Sequence, residues 1–375
     1  MTALEELIQL SGTPLNSAIA DCRRRDKKVI GFFCSYIPEE IIHAAGMLPI
    51  RIRATGCTET VTADAYMSVL NCTFARSCLE FISTGIFDFL NGLVFANSCD
   101  NIRRLYDVLR EKRPYPFMHF ISIPHRAGGE GPLDWYKEEV TRFKGNIEET
   151  FGREIPDEAL IAAIEVCNES RTLLRKVYDL RTQENPPITG TESLSVVLAA
   201  TVTPKDLYNQ LLRRLLEELQ GRKTISGYRA RLMIVGSEYD DPAFTKIIED
   251  LGGLVVADAL CFGSRYFAEP VKIHSDVVGG LAESYLNRPS CPRMTDRVTE
   301  RANFIRQMIE KFSVDGVIFE HIRYCDLWGG EAIYVEKALR ESNVPWISIE
   351  REYRLGGIGQ IKTRMQAFLE RIECG

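Results

Sequence analysis

The sequence predicts an α/β protein of two small, doubly wound parallel sheets with a helical insert between them. Three observations carry this. Short apolar, β-rich runs alternate with long helical patterns, as in chains built from strand–helix–strand units. The runs fall into an early group and a late group, separated by a long span of helical pattern. The 375 residues are also too many for one ordinary core.

In chain order, the early strands are expected at residues 29–33, 49–53, 92–96 and 117–123. From residue 133 to about 221 the pattern is helical, interrupted at Asn185-Pro186-Pro187 and otherwise poor in turn signals. The late strands are expected at 232–236, 254–257, 316–321 and 346–350. Three units follow: an N-terminal α/β domain over 1–130, a helical segment over 131–225, and a C-terminal α/β domain over 226–375. The two halves resemble each other in architecture, without a visible sequence repeat.

Composition excludes several function classes. With a net charge of −6, the chain lacks the basic balance that a phosphate backbone demands. The basic cluster Arg23-Arg24-Arg25 with Lys27-Lys28 reads as a solvated helix end. No stretch of 18 apolar residues marks a membrane span. Met1 to Leu10 carries two glutamates and no basic region of a secretion signal, so a cytoplasmic, thiol-reducing location is expected.

In that setting, eleven cysteines are the main clue. A free cysteine usually packs as a small hydrophobe, inside a strand or on an apolar helix face. Six do not fit that pattern. Cys34, Cys99, Cys261 and Cys325 each follow a predicted strand, where ligands of open parallel sheets bind. Cys72 starts a helix, and Cys291 lies between Pro289 and Pro292. Backbone N–H groups at such places favour thiolates, the ligands of iron–sulfur clusters. Zinc is the competing reading, but no C-x-x-C pair is present. Cys22, Cys78, Cys167 and Cys374 read as structural or incidental; Cys57 sits in a turn without a clear role.

Six segments stand out together: 37–49 (IPEEIIHAAGMLP), 72–80 (CTFARSCLE), 98–100 (SCD), 258–267 (DALCFGSRYF), 324–326 (YCD) and 359–364 (GQIKTR). Through them the chain resembles the superfamily of 2-hydroxyacyl-CoA dehydratases and benzoyl-CoA reductases. The resemblance implies two flavodoxin-like domains, a homodimer or a heterodimer with a related subunit, and an acyl-CoA substrate. It also implies electrons supplied one at a time by an ATP-hydrolysing iron–sulfur activator. By motif, Cys72, Cys99 and Cys325 correspond to the ligands of a [4Fe-4S] cubane. The extra Cys34, Cys261 and Cys291 resemble relatives that hold a double-cubane [8Fe-9S] cluster, which favours a reductase over a plain dehydratase. A homodimeric double-cubane reductase of small molecules and a zinc-bound structural subunit are the alternatives.

Other chemistry is sparse. No phosphate-binding G-x-x-x-x-G-K-[ST] loop is present, in keeping with ATP hydrolysis by a separate protein. Gly356-Gly357-Ile358-Gly359 reads as a helix-start turn. His321 approaches the cysteine end of its predicted strand and is the candidate proton donor. Glu320 and His321 alternate across that strand, so at most one faces the cleft. Arg265 and Arg323 flank the cysteines and are candidates to offset the charge of a thiolate-bound cluster. His43 is expected to pack or cap.

Overall fold

The computed structural model describes residues 1–12, 14–354 and 356–374. Among the described residues, two four-stranded parallel sheets form the frame. The first holds β1 (Val29–Phe32), β2 (Leu48–Arg51), β3 (Gly92–Ala96) and β4 (Phe117–Ile121), in the order β2-β1-β3-β4. The second holds β5 (Ala230–Gly236), β6 (Gly253–Ala259), β7 (Gly316–Ile322) and β8 (Trp346–Arg351), in the order β6-β5-β7-β8. Counted within its own half, each sheet has the flavodoxin-like order 2-1-3-4. Every expected strand is present, β3 with the expected bounds and the others shifted by at most two residues.

Strands of this kind read as apolar runs because helices bury both faces. In the first sheet, Leu93 and Phe95 face one core with Leu79, Ile82 and Leu105. Ile30, Phe32 and Val94 face the other, with Tyr136, Val140 and Phe143. The second sheet divides in the same way, with Ile234 and Ile318 on one side and Met233, Val317 and Phe319 on the other. In an order of this type the connections reverse direction between the first and third strands. That places the crevices at the ends of β1/β3 and β5/β7.

The middle of the chain is helical, in segments Pro132–Phe151, Asp157–Asp179, Gly190–Ala200 and Lys205–Gln220. The break at Asn185-Pro186-Pro187 is there. Two more breaks escaped the sequence reading. Gly152 ends its helix with φ 62°, a left-handed cap that glycine adopts without strain, and Pro156 precedes the next helix. Pro204 opens the last of the four. The N-terminal helix Ala3–Ser11 packs Leu4, Leu7 and Leu10 into this helical layer, against Val197, Leu211 and Leu215.

Buried ion pairs fasten the helices to both sheets. Glu39 and Glu40 open the short helix that follows β1. Glu39 pairs with Lys205 (3.0 Å) and accepts a hydrogen bond from Tyr266 (2.6 Å). Glu40 pairs with Arg171 and accepts from Tyr285 (2.7 Å). His43, in the same helix, is half-buried packing. No helix among the described residues is long and apolar enough to cross a membrane.

Candidate metal centre

The crevices of the two sheets face each other and merge into one cleft, enclosing about 730 Å³ of space with its mouth included. Cys34, Cys72, Cys99, Cys261, Cys291 and Cys325 all line it. Between them stand Arg51, Glu238, Arg265 and Asp326, with Phe33, Phe74, Ile102, Ile322 and Trp328 as apolar walls.

Local chain geometry explains how each sulfur arrives there. Cys72, Cys99 and Cys325 are the N-cap residues of helices Thr73–Ser83, Asp100–Lys112 and Asp326–Glu341. A helix start carries free N–H groups and the positive end of the helix dipole, both favourable to a thiolate. Burial pushes the Cys72 thiol up to about 12, while the backbone N–H groups of Ala75 and Phe74 pull it down. Burial likewise raises Cys99 and Cys325, each of them further raised by Cys72 and opposed by one helix-start N–H. The charge of Cys72 thus bears on both other thiols.

Cys34 ends β1 by one short turn, and Cys261 ends β6. Burial raises Cys34, with Cys291 adding to the rise and Arg293 and Arg51 opposing it. Burial pushes Cys261 up to about 12 against the pull of Arg51. Arg51 donates to the Cys261 sulfur (3.0 Å) and carbonyl (2.5 Å), and the thiol donates to Glu238 (3.1 Å). The loop of Cys291 is pinned by arginines. Arg265 donates to the Ser290 carbonyl (3.1 Å), Arg301 to that of Cys291 (3.2 Å), and Arg288 to that of Ser35. Arg293 reaches the first sheet, donating to the carbonyls of Ile123 and Pro124 at 2.9 Å.

Asn101 bridges the halves: its carbonyl oxygen accepts from the Cys72 N–H (3.0 Å), and its amide donates to the Tyr324 carbonyl (3.3 Å). Nearby, the Tyr353 N–H donates to the Thr73 hydroxyl (3.1 Å).

The residues fit an anionic, thiolate-held group. The Nε atoms of Arg51, Arg265 and Arg293 are buried without a hydrogen-bond partner, and Arg265 and Arg293 form no ion pair among the described residues. Buried charge is costly unless paired. Iron, sulfide and thiolates together would supply the missing negative partner. Among the described residues, no three His, Cys, Asp or Glu side chains converge tightly enough to hold one metal ion. In a cluster each iron takes its own thiolate, so the sulfurs need only surround it.

Two of the sequence candidates lie elsewhere. His321 stacks on Phe319 and faces Glu350 (3.5 Å), away from the cleft lining. Glu320, on the opposite side of β7, is buried against Arg351 (2.7 Å), so neither of the two faces the cleft. Arg323 is half-exposed and pairs with Glu350 (3.0 Å) and Glu352 (3.5 Å). Arg265 lines the cleft as expected. Cys22, Cys57, Cys78 and Cys167 are buried outside it and Cys374 is exposed. The glycines at 356–359 start the C-terminal helix Ile358–Cys374, also outside.

Sequence reasoning missed Arg51, Glu238 and Arg293. Glu238 had a usable signal, since Ser237-Glu238 follows β5 as Cys34 follows β1. Arg51 had a weaker one, a charge at the end of an apolar run. Arg293 had none.

Comparison with known proteins places the chain in a family. Residues 34–372 match the family described as 2-hydroxyglutaryl-CoA dehydratase, D-component. A benzoyl-CoA reductase subunit of Thauera aromatica is 27% identical over 352 residues, covering 92% of this chain and 91% of the relative. The beta subunit of (R)-2-hydroxyglutaryl-CoA dehydratase of Acidaminococcus fermentans is 27% identical over 378 residues, covering 98% of each. The (R)-phenyllactyl-CoA dehydratase beta subunit of Clostridium sporogenes is 26% identical over 346 residues, covering 92% and 91%. The chain belongs to the 2-hydroxyglutaryl-CoA dehydratase D-component family, an enzyme family whose members include subunits of acyl-CoA reductases and dehydratases.

Proposed function

We propose that the chain is the iron–sulfur subunit of a low-potential, one-electron acyl-CoA reductase of the benzoyl-CoA reductase type. Its electrons would come from an ATP-hydrolysing iron–sulfur activator, and it would act as a dimer with itself or with a related subunit. The observation that carries this reading is the meeting of all six selected cysteines at one cleft between the two sheets. Such a cluster supplies single electrons at low potential when bound.

The chain's own residues do the rest. Cys72, Cys99 and Cys325 would hold one cubane, and Cys34, Cys261 and Cys291 a second. Three helix starts direct N–H groups at the first set, and Arg51 holds Cys261 in place through its sulfur and carbonyl. Phe33, Phe74, Ile102 and Trp328 limit water at the sulfurs. His321 can serve as proton donor to a substrate at the Glu350 edge of β7 and β8, not to one inside the cleft.

Reductive dehydration is the second reading, favoured by the relatives named for it. The two are separated by mixing the anaerobically reduced chain, with its activator, with benzoyl-CoA or a 2-hydroxyacyl-CoA. Loss of ring absorbance with benzoyl-CoA supports the reductase, and an unsaturated acyl-CoA from the hydroxy substrate supports the dehydratase. Turnover of neither, with reduced visible absorbance unchanged, contradicts both.

A further inference from the structure

The two groups of cysteines lie in different electrostatic fields. Near Cys34 and Cys261 stand three buried guanidiniums. Arg51 touches the Cys261 sulfur and lies 3.6 Å from the centre of the Phe262 ring. Arg265 lines the cleft with Cys261 and donates to the Ser290 carbonyl beside Cys291 (3.1 Å). Arg293, 1% exposed, follows Cys291 by two residues and lies 5.4 Å from the centre of the Tyr36 ring, two residues after Cys34. Glu238, 3.4 Å from Arg51, offsets one of the three charges.

Around Cys72, Cys99 and Cys325 the positive field comes from helix starts, each worth roughly half a charge. Asp326 and the shared Glu238, which line the cleft with these three cysteines, oppose it. Glu320, outside the cleft lining, is paired with Arg351 (2.7 Å). With Glu238 counted once, against Arg51, the balance is roughly two positive charges on the first side against about half a positive charge on the second. In a poorly solvated interior a fixed difference of that size decides where added negative charge rests.

We propose that Arg51, Arg265 and Arg293 make the Cys34/Cys261/Cys291 side of the cleft the resting place of the added electron. This rests on the double-cubane reading above. The step is one electron leaving a reduced iron–sulfur donor, which is oxidised by one, and entering the group held by the six thiolates, which is reduced by one. No bond breaks and no proton moves, because fixed guanidiniums offset the new charge.

The test is an anaerobic reductive titration with titanium(III) citrate, read by electron paramagnetic resonance, with iron per chain measured on every sample. Arg265→Gln and Arg293→Gln should each make the first reduction at least tenfold harder, about 59 mV for one electron. Arg265→Lys should restore most of it, and Asp326→Asn should move it much less. If the Gln variants lose iron, Glu238→Gln carries the test. A first reduction at least tenfold easier supports the proposal, and an unmoved one overturns it. Unmoved potentials in Arg265→Gln and Arg293→Gln at full iron content overturn this proposal alone. A wild-type chain without iron overturns the cluster reading and the proposal together.

Discussion

His119 is a neutral imidazole held in an apolar slot of β4. It lies between Phe117 and Phe143, with Asn146 at 3.0 Å from its Nδ1, and is 6% exposed. Burial, helped by Arg142, lowers its pKa to about 4. The unfolded chain takes up this proton near 6.5, so it binds more protons than the folded chain between those values. Stability from this site is therefore full above about 6.5 and falls as the pH drops towards 4, by up to roughly 3 kcal/mol. Urea midpoints at pH 7.5 and pH 5 should differ less in His119→Gln than in the wild type. An equal difference would assign the acid sensitivity to other groups. At this scale the sequence was partly legible. Cysteines after strands announce themselves because a small, reactive residue in a turn has no packing reason to be there. A buried arginine such as Arg293 announces nothing, since its partners are carbonyls more than 160 residues away.

Elements set the geometry of the cleft. At the end of β5, Gly236 lies so close to β7 that a Cβ there would come 1.9 Å from the Glu320 carbonyl oxygen. Gly236→Ala must separate the two strands that carry Ser237-Glu238 and Cys325. A loss of about 3 kcal/mol or more is expected in urea unfolding; a loss below about 1 kcal/mol would show that the strand ends adjust freely. Asn101 ties the start of one helix to the turn before another, and both carry cleft cysteines. Asn101→Ala removes both bonds and should cost about 1–3 kcal/mol. Iron release to a chelator should also quicken, and an unchanged release rate would make Asn101 irrelevant to the site. The eight strands and the proline break were legible because buried parallel strands are continuous apolar runs and proline cannot continue a helix. The breaks at Gly152 and before Pro204 carried the same kind of signal, in Gly152, Pro156 and Pro204, but each holds a single proline rather than a pair and was read over.

At the scale of the whole molecule, two flavodoxin-like sheets present their crevices to one another, and the helical layer holds them through Glu39–Lys205 and Glu40–Arg171. The site was legible as a set of residues but not as a place. His321 and Arg323 were chosen for nearness in sequence to Cys325, yet alternation along β7 and a turn in the left-handed region at Tyr324 (φ 63°) send them elsewhere. Everything proposed for the cleft depends on six cysteines holding iron and sulfide between the sheets. Iron and acid-labile sulfide per chain after anaerobic purification test this most directly, in the wild type and in Cys34→Ser/Cys261→Ser/Cys291→Ser. About eight irons are expected in the wild type and about four in the variant. Zinc in place of iron, or an iron content unchanged by the three substitutions, would contradict it.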